Sequence, residues 1–311
     1  VDPTLLANMK ICYAIYQKTF WANANAFKYC QSCIEHAKRG LNINEMGIML
    51  GPGGVGLSLF SAHLAAMLGP NNHRYFDPNV FYQDDEMRKV VESLAGAIVF
   101  TGQERPTGTK NSIREDLLKK FATGEGITAR LPYAILTRLI SCIGWKRIEM
   151  NKLFQFDDID DSNFESIVRR CAVIRIKARF FDATYLRAHF DDDSHEQYGI
   201  FARDPDAAIF LTGQGTAAGL LIQHAFAEAH NLEQIRENMS HYVRCGGDDG
   251  ATTKCIREAC RLPPIAVGAS SLAAVLDTDT KETESNSADS SGTAPRSADS
   301  LPEGFFSHYV N

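Results

Sequence analysis

The most constraining feature of the sequence is a glycine-rich turn between an apolar run and an apparent helix. Residues 47–50 predict a short buried strand, and four glycines follow within residues 51–56. Residues 57–68 then predict a helix that ends at Gly69-Pro70. Such a unit directs unpaired backbone N–H groups and a positive helix end toward one point, so it predicts an anion site. The alternative is a tight connection that binds nothing.

Two phosphate-binding signatures fit this turn. Residues 51–56 satisfy G-x-G-x-x-G, the dinucleotide fingerprint. Residues 51–58 also satisfy the P-loop pattern G-x-x-x-x-G-K-[ST], except that Leu57 stands where the lysine belongs. In the P-loop interpretation the Ser58 hydroxyl would hold Mg²⁺. The nucleotide-binding candidates are Gly51, Gly53, Gly54, Val55, Gly56, Leu57 and Ser58.

Acidic residues further along the chain bear on the choice between the two signatures. A dinucleotide fold needs an acid about 20 residues on to hold the ribose, and Asp77 meets that need. A P-loop ATPase instead needs an acid at the end of a later strand, where it polarises water. Glu104 follows the apolar run 97–101 and fits that role. The alternative interpretation of Glu104 is a solvated carboxylate at a strand end that has no catalytic role.

Two further features favour the P-loop. Asn151 follows the predicted strand 148–150 and would sense the γ-phosphate; its alternative is a cap. Arg169 and Arg170 precede the predicted strand 172–176, and either would enter a neighbouring subunit's site; their alternative is a surface salt bridge. One acid therefore supports the dinucleotide signature, whereas three ordered features support the P-loop.

The alternation of strands and helices predicts an α/β fold, with a P-loop AAA+-type parallel sheet core flanked by helical N- and C-terminal segments. The predicted domains are a helical segment at 1–43, an ATPase core at 44–185, a helical part at 186–275 and an acidic, largely disordered tail at 276–311. Residues 198–243 are expected to be helical.

The segment 47–182 resembles the superfamily 3 helicases, in particular the primase-associated branch of large DNA viruses and phages. The turn at 51–56 is similar to that branch's Walker A loop, 98–104 to its Walker B strand, and 117–130 to its DNA-facing segment. Met150-Asn151 resembles the sensor asparagine, and 168–174 resembles the arginine-finger segment.

The resemblance implies an ATPase that binds ATP and Mg²⁺, forms a homo-oligomeric ring, usually a hexamer, and translocates along single-stranded DNA. It implies that Lys119, Lys120 and Arg130 contact the DNA. These cations also suit an ordinary solvated helix face, which is their alternative interpretation.

The sequence departs from the family pattern at three places: Leu57 replaces the lysine, Gln103 is uncharged, and residues 124–126 read Gly-Glu-Gly. Losing a preorganised charge at the transferring phosphate typically lowers the rate by about 10²–10³. A second hypothesis is therefore a catalytically inactive scaffold that forms rings or binds DNA. A third is a dinucleotide-dependent enzyme that binds NAD or FAD.

Charge and hydropathy limit the partners. The net charge is −6, and residues 277–303 hold seven acids against two bases, so the rest of the chain is nearly neutral. Any DNA contact must therefore come from a local basic loop. No apolar run approaches the roughly 20 residues that span a bilayer, and we expect an intracellular protein without a membrane partner.

Overall fold

The structure is a computed structural model that describes residues 2–82, 84–103, 112–129, 137–156, 159, 161–190, 193–245, 247 and 250–260. The strands are β1 (Met46–Leu50), β2 (His73–Phe76), β3 (Val99–Gly102), β4 (Ser112–Ile113), β5 (Ile127–Ala129), β6 (Arg138–Ile140), β7 (Trp145–Met150), β8 (Gln155–Phe156), β9 (Cys171–Arg175), β10 (Arg179–Phe181) and β11 (Ile200–Ala202). The helices are α1 (Pro3–Thr19), α2 (Ala24–Lys38), α3 (Leu57–Leu68), α4 (Asp84–Leu94), α5 (Glu115–Thr123), α6 (Asp161–Val168), α7 (Ala183–His189), α8 (Ala207–Thr212), α9 (Gln214–Ala229), α10 (Leu232–Arg244) and α11 (Ala251–Ala259).

A five-stranded sheet forms the centre, in the order β2-β3-β7-β1-β9, and its neighbouring strands are parallel. Smaller two-stranded pairs join β4 to β8, β5 to β6 and β10 to β11. Helices cover the central sheet, because both faces of a parallel sheet must be buried. The predicted α/β class, with a parallel sheet flanked by helices, is confirmed.

One face of the sheet is apolar apart from the buried Lys146 of β7. Its side chains come from alternate positions of the strands, such as Ile48, Phe100, Ile148 and Val173, all fully buried. Helices α4, α5, α6 and α11 contribute the apolar residues that complete this core. Burying side chains of this size contributes about 1.5–3 kcal/mol each relative to exposure.

The other face carries polar side chains beneath α3. Trp145, Arg147 and Glu149 alternate along β7, and the two charged members are almost completely buried. On the neighbouring strands, His73 Nε2 lies 2.9 Å from the Thr101 hydroxyl oxygen. The apolar run 148–150 predicts a strand that begins at residue 148. The strand in fact begins at Trp145, since Lys146 and Arg147 find partners inside the protein.

The helical segments surround this polar face. Helix α1 packs against α9, α2 packs against α10, and α3 contacts both α8 and α9. The expectation of helix throughout 198–243 is wrong at its start, because residues 200–202 form β11, which pairs in parallel with β10. The predicted domain limits stay predictions, and the acidic tail lies outside the described residues.

No helix in the described ranges combines the length and the apolar character needed to cross a membrane.

Candidate functional site

The glycine turn connects the end of β1 to the start of α3. Gly54 and Gly56 both have a φ of +83°, which side-chain-bearing residues rarely adopt. A Cβ atom at Gly51 would lie 2.9 Å from a methyl carbon of Val55 and 3.1 Å from the Ile176 carbonyl oxygen. These three glycines are therefore required by the backbone, whereas a Cβ at Gly53 would meet no atom within 4 Å.

A cavity of about 930 Å³ opens beside this turn. It lies at the carboxyl edge of the sheet next to β1, on whose two sides the later strands β7 and β9 pair. Ligands of open α/β sheets bind at such a point, where the strand order changes direction. The volume falls within the range of about 300–1,000 Å³ that is typical of small-molecule sites.

Most of the predicted nucleotide-binding residues line this cavity. They are Gly53, Gly54, Val55, Gly56, Leu57 and Ser58. Gly51 is buried at the base of the turn, where its N–H donates to the Met150 carbonyl oxygen at 3.2 Å. Asn151 and Gln103 also line the cavity, from the ends of β7 and β3. Glu104, which follows Gln103, lies outside the described residues.

Leu57 occupies the position of the P-loop lysine and is only 7% exposed. It is the first residue of α3, and Gly56 precedes it as the N-cap. The cavity wall at this position is therefore apolar, while the adjacent Ser58 is exposed. Any charge that neutralises a phosphate here has to come from another element.

Arg169 and Arg170 lie at the amino ends of the strands, at the opposite end of the sheet from the cavity. Cys171 is the register partner of Met46 at the amino end of β1, and the Met46 N–H donates to the Arg170 carbonyl oxygen at 2.8 Å. The Arg169 guanidinium lies 3.4 Å from a Glu165 carboxylate oxygen and is exposed. Neither arginine lines the cavity of its own chain, and their predicted role at a neighbouring subunit stays a prediction.

The predicted DNA-contacting lysines lie on α5, which packs on the apolar face of the sheet. Lys119 is half-buried and forms an ion pair with Glu115. Lys120 is exposed, and its Nζ lies 3.9 Å from an Asp116 carboxylate oxygen. Both pairings join residues four positions apart, as on an ordinary charged helix face. Arg130 lies outside the described residues.

Sequence reasoning missed two cations that line the cavity, Lys18 and Arg203. Lys18 lies near the end of α1, and its Nζ is 3.4 Å from a Glu196 carboxylate oxygen. Arg203 follows β11, and its Nη2 atom lies 3.8 Å from the position of a Cβ at Gly54. No motif marks either residue, because the β10–β11 pairing that positions Arg203 leaves no periodicity in the sequence.

A buried charge cluster adjoins the cavity between α3 and β7. Glu149 lines the cavity, accepts a hydrogen bond from Ser61 and forms an ion pair with Arg147. Burial raises the pKa of the Glu149 carboxyl, and Arg147 and Ser61 act against that shift. The guanidinium of Arg147 lies over the rings of Phe60 and Trp145, at 5.0 and 5.2 Å from their centroids.

Asp77, the acid that the dinucleotide interpretation requires, directly follows the edge strand β2. Strands β3 and β7 separate β2 from β1, so three strand spacings of about 4.8 Å lie between their ends. The Asp77 carboxylate instead accepts hydrogen bonds from the Asn79 backbone N–H, at 2.9 Å, and from its side-chain amide, at 2.8 Å.

Within the described part of the chain, no group of three histidine, cysteine, aspartate or glutamate side chains is arranged to hold a metal ion.

Comparisons with known proteins show a shared fold. No protein-family model matches the chain, and no curated protein matches it. The A-form apo structure of the NrS-1 C-terminal region is similar at a TM-score of 0.51 and 13% identity, covering 79% of this chain and 51% of that one. A second apo structure of that region gives a TM-score of 0.47 at 12% identity, covering 76% of this chain and 51% of the other. This chain thus spans about half the length of those structures.

Proposed function

We propose that this chain is a P-loop nucleotide-binding domain of the superfamily 3 helicase type, which binds ATP with Mg²⁺ beside the glycine turn. One observation carries the proposal: a single cavity is lined by the turn, by Gln103 at the end of β3 and by Asn151 at the end of β7. A P-loop ATPase needs its acid and its sensor at the ends of two such strands.

The proposed roles follow from this arrangement. The backbone N–H groups of the turn would hold the phosphates, and the Ser58 hydroxyl would hold Mg²⁺, which neutralises phosphate charge when bound. Glu104 would polarise the attacking water, and Asn151 would orient it. Arg169 or Arg170 would act from the neighbouring subunit of a ring, where it would stabilise the charge that develops on the γ-phosphate.

In this proposal the domain translocates along single-stranded DNA, and Lys119, Lys120 and Arg130 contact that DNA. The exposure of Lys120 supports this part, because a backbone phosphate can reach it and exchange with Asp116. Lys119 would contact DNA only after leaving Glu115.

The strand order argues against the dinucleotide alternative. In the dinucleotide fold the second strand lies next to the first, so its terminal acid reaches the ribose. Here two strands separate β1 from β2, and Asp77 caps the residues that follow it. The cavity at the glycine turn lacks that acid among its described lining residues.

Leu57 supports a second candidate, a scaffold that binds nucleotide without hydrolysing it. Its side chain is packed into the cavity wall rather than extended toward a phosphate. Removing the lysine charge lowers transition-state stabilisation, while the turn's N–H groups remain for binding.

ATP turnover with Mg²⁺ and single-stranded DNA tests these candidates, on the wild type, Glu104→Gln and Leu57→Lys in parallel. Wild-type turnover that Glu104→Gln abolishes would support the ATPase. Nucleotide binding without turnover, with activity gained in Leu57→Lys, would support the scaffold. A folded wild type that binds no ATP in an equilibrium titration would exclude the ATPase and leave a scaffold that forms rings or binds DNA without nucleotide.

A further inference from the structure

Arg203 lies close to the glycine turn although it is far from it in sequence. Its position is fixed through the backbone, since its N–H donates to the Phe181 carbonyl oxygen at 2.7 Å and continues the β10–β11 ladder. From there the side chain extends so that Nη2 comes within 3.8 Å of the Cβ position of Gly54. The guanidinium thus lies beside the tip of the turn.

The charges around the cavity distinguish Arg203 from the other ionisable groups that line it. Glu149 is paired with the buried Arg147, and Lys18 is paired with Glu196. The Asp204 carboxylate accepts the backbone N–H of Asp206 at 2.9 Å. Among the described residues Arg203 has no ion pair, so its charge is available to an anion in the cavity.

The wall of the cavity lacks a cation where the P-loop pattern has one. Leu57 is buried at the start of α3 and provides only an apolar surface. A nucleotide triphosphate held by the N–H groups of the turn would keep several negative charges that these neutral donors do not balance. An arginine matches phosphate oxygens well, because its planar fork donates two hydrogen bonds at once.

We propose that Arg203 replaces the missing P-loop lysine and contacts the phosphate chain of a nucleotide bound at the glycine turn. This inference rests on the proposed function. It assigns the charge to the same chain that carries the turn, so no second subunit is needed for nucleotide binding. The guanidinium acts on the terminal phosphates, and its contribution to binding therefore grows with the number of phosphates.

Equilibrium titrations with ATP, ADP and AMP in the presence of Mg²⁺ test the proposal on the wild type and Arg203→Ala. We expect Arg203→Ala to weaken ATP binding by about tenfold to a hundredfold, the usual effect of one hydrogen bond to a charged group. AMP binding should change by less than about threefold, because one phosphate leaves most of the contact unused. The ATP affinity of Arg203→Lys should lie between those of the wild type and Arg203→Ala, since lysine keeps the charge and lacks the planar fork.

Two further variants separate a local effect from a general one. Arg187→Ala removes an exposed arginine of α7 that does not line the cavity, and its ATP affinity should equal that of the wild type. Leu57→Lys combined with Arg203→Ala should recover ATP affinity, because the lysine restores the charge from the other side. Arg203 is exposed, so its replacement should leave the circular dichroism spectrum and the melting temperature unchanged.

The outcomes are distinct. Wild-type ATP binding that Arg203→Ala leaves intact would overturn the role of Arg203 and keep the proposed function. Equal weakening of ATP and AMP binding would also overturn it, because the effect would not depend on the phosphate chain. No ATP binding by the folded wild type would overturn the proposed function and this inference together.

Discussion

Arg147 and Glu149 form an ion pair inside the protein, between the central sheet and α3, and their side chains are 0% and 6% exposed. Both belong to β7, two residues apart, so both point to the same face of the sheet. Moving two charges out of water costs several kcal/mol per ion, and the pair has to recover that free energy through its mutual contacts.

Breaking this pair from one side should be strongly destabilising. Glu149→Leu leaves a buried guanidinium without its counter-charge, and we expect a loss of about 3–5 kcal/mol in the free energy of unfolding. The double variant Arg147→Met with Glu149→Leu should lose much less, since no uncompensated charge remains. Urea denaturation of the two single variants and the double variant measures the coupling.

The exposed pair between Glu86 and Lys89 provides the control, with 2.7 Å between the paired atoms. Glu86→Ala should change the free energy of unfolding by less than about 1 kcal/mol. If Glu149→Leu had an effect as small as this control, the pair would not be buried as described.

His63 makes the stability depend on pH in the acidic range. Its Nε2 lies 3.0 Å from the Gly215 carbonyl oxygen, which only accepts, so Nε2 carries the proton and Nδ1 accepts from the Tyr16 hydroxyl at 2.8 Å. Burial lowers the pKa of His63 to about 4. Between pH 6.5 and 4 the unfolded chain therefore binds a proton that the folded protein refuses, and stability falls as the pH falls.

The slope of the free energy of unfolding against pH, measured between pH 6.5 and 5, reports this effect. We expect His63→Gln to have a shallower slope than the wild type, although it is less stable at pH 7. His189→Gln replaces an exposed histidine of α7 and should keep the wild-type slope. An unchanged slope in His63→Gln would show that this histidine is not held neutral.

Lys146 makes the stability depend on pH in the neutral to alkaline range. It is fully buried, and its Nζ donates to the carbonyl oxygens of Ile43 and Ala122 at 3.2 and 3.0 Å. Burial lowers the pKa of Lys146 to about 7. Above pH 7 the unfolded chain keeps a proton that the folded protein releases, so this group makes stability rise with pH.

Denaturation at pH 7 and pH 8.5 checks this sign. Lys146→Met should lose the rise with pH, whereas Lys28→Met, at an exposed position of α2, should retain it. A rise of equal size in Lys146→Met would assign the effect to other groups.

Gly144 and Gly53 should respond differently to the same substitution. Gly144 has a φ of +136°, and a Cβ there would overlap the Ile98 carbonyl oxygen. Gly144→Ala should therefore lower the free energy of unfolding by at least about 2 kcal/mol. Gly53→Ala has open space and should change it by less than about 1 kcal/mol. Equal melting temperatures for the two variants would contradict this contrast.

The sequence was informative where local patterns decide the structure. Helix α3 begins and ends where the glycine turn and the glycine stop predict, and β1, β3, β7 and β9 fall within a few residues of their predicted apolar runs. β7 extends upstream of the predicted strand 148–150 through Lys146 and Arg147, and only the folded chain shows that carbonyl groups and Glu149 satisfy these two cations.

The candidate site was predictable in its glycine turn and in Asn151, because a strand followed by a turn is a local pattern. Arg203 was not predictable. Its place at the turn depends on the pairing of β11 with β10, which joins segments about twenty residues apart and follows from tertiary packing alone. Asp77 has the right sequence separation for a ribose contact, and strand order, which no local pattern encodes, puts it at the far edge.

His63 connects three helices, and this has a mechanical consequence. The helix that starts at the glycine turn is bonded through one imidazole to Tyr16 of α1 and to Gly215 of α9. Gly219 lets α9 approach so closely that any Cβ there would overlap His63 and Met67. A tilt of α3 at its first residue cannot be absorbed at this junction, because it is tightly packed and hydrogen-bonded on both sides. We therefore expect a displacement of α3 at the turn to move α1 and α9 as well, because otherwise the bonds of His63 to Tyr16 and Gly215 would break.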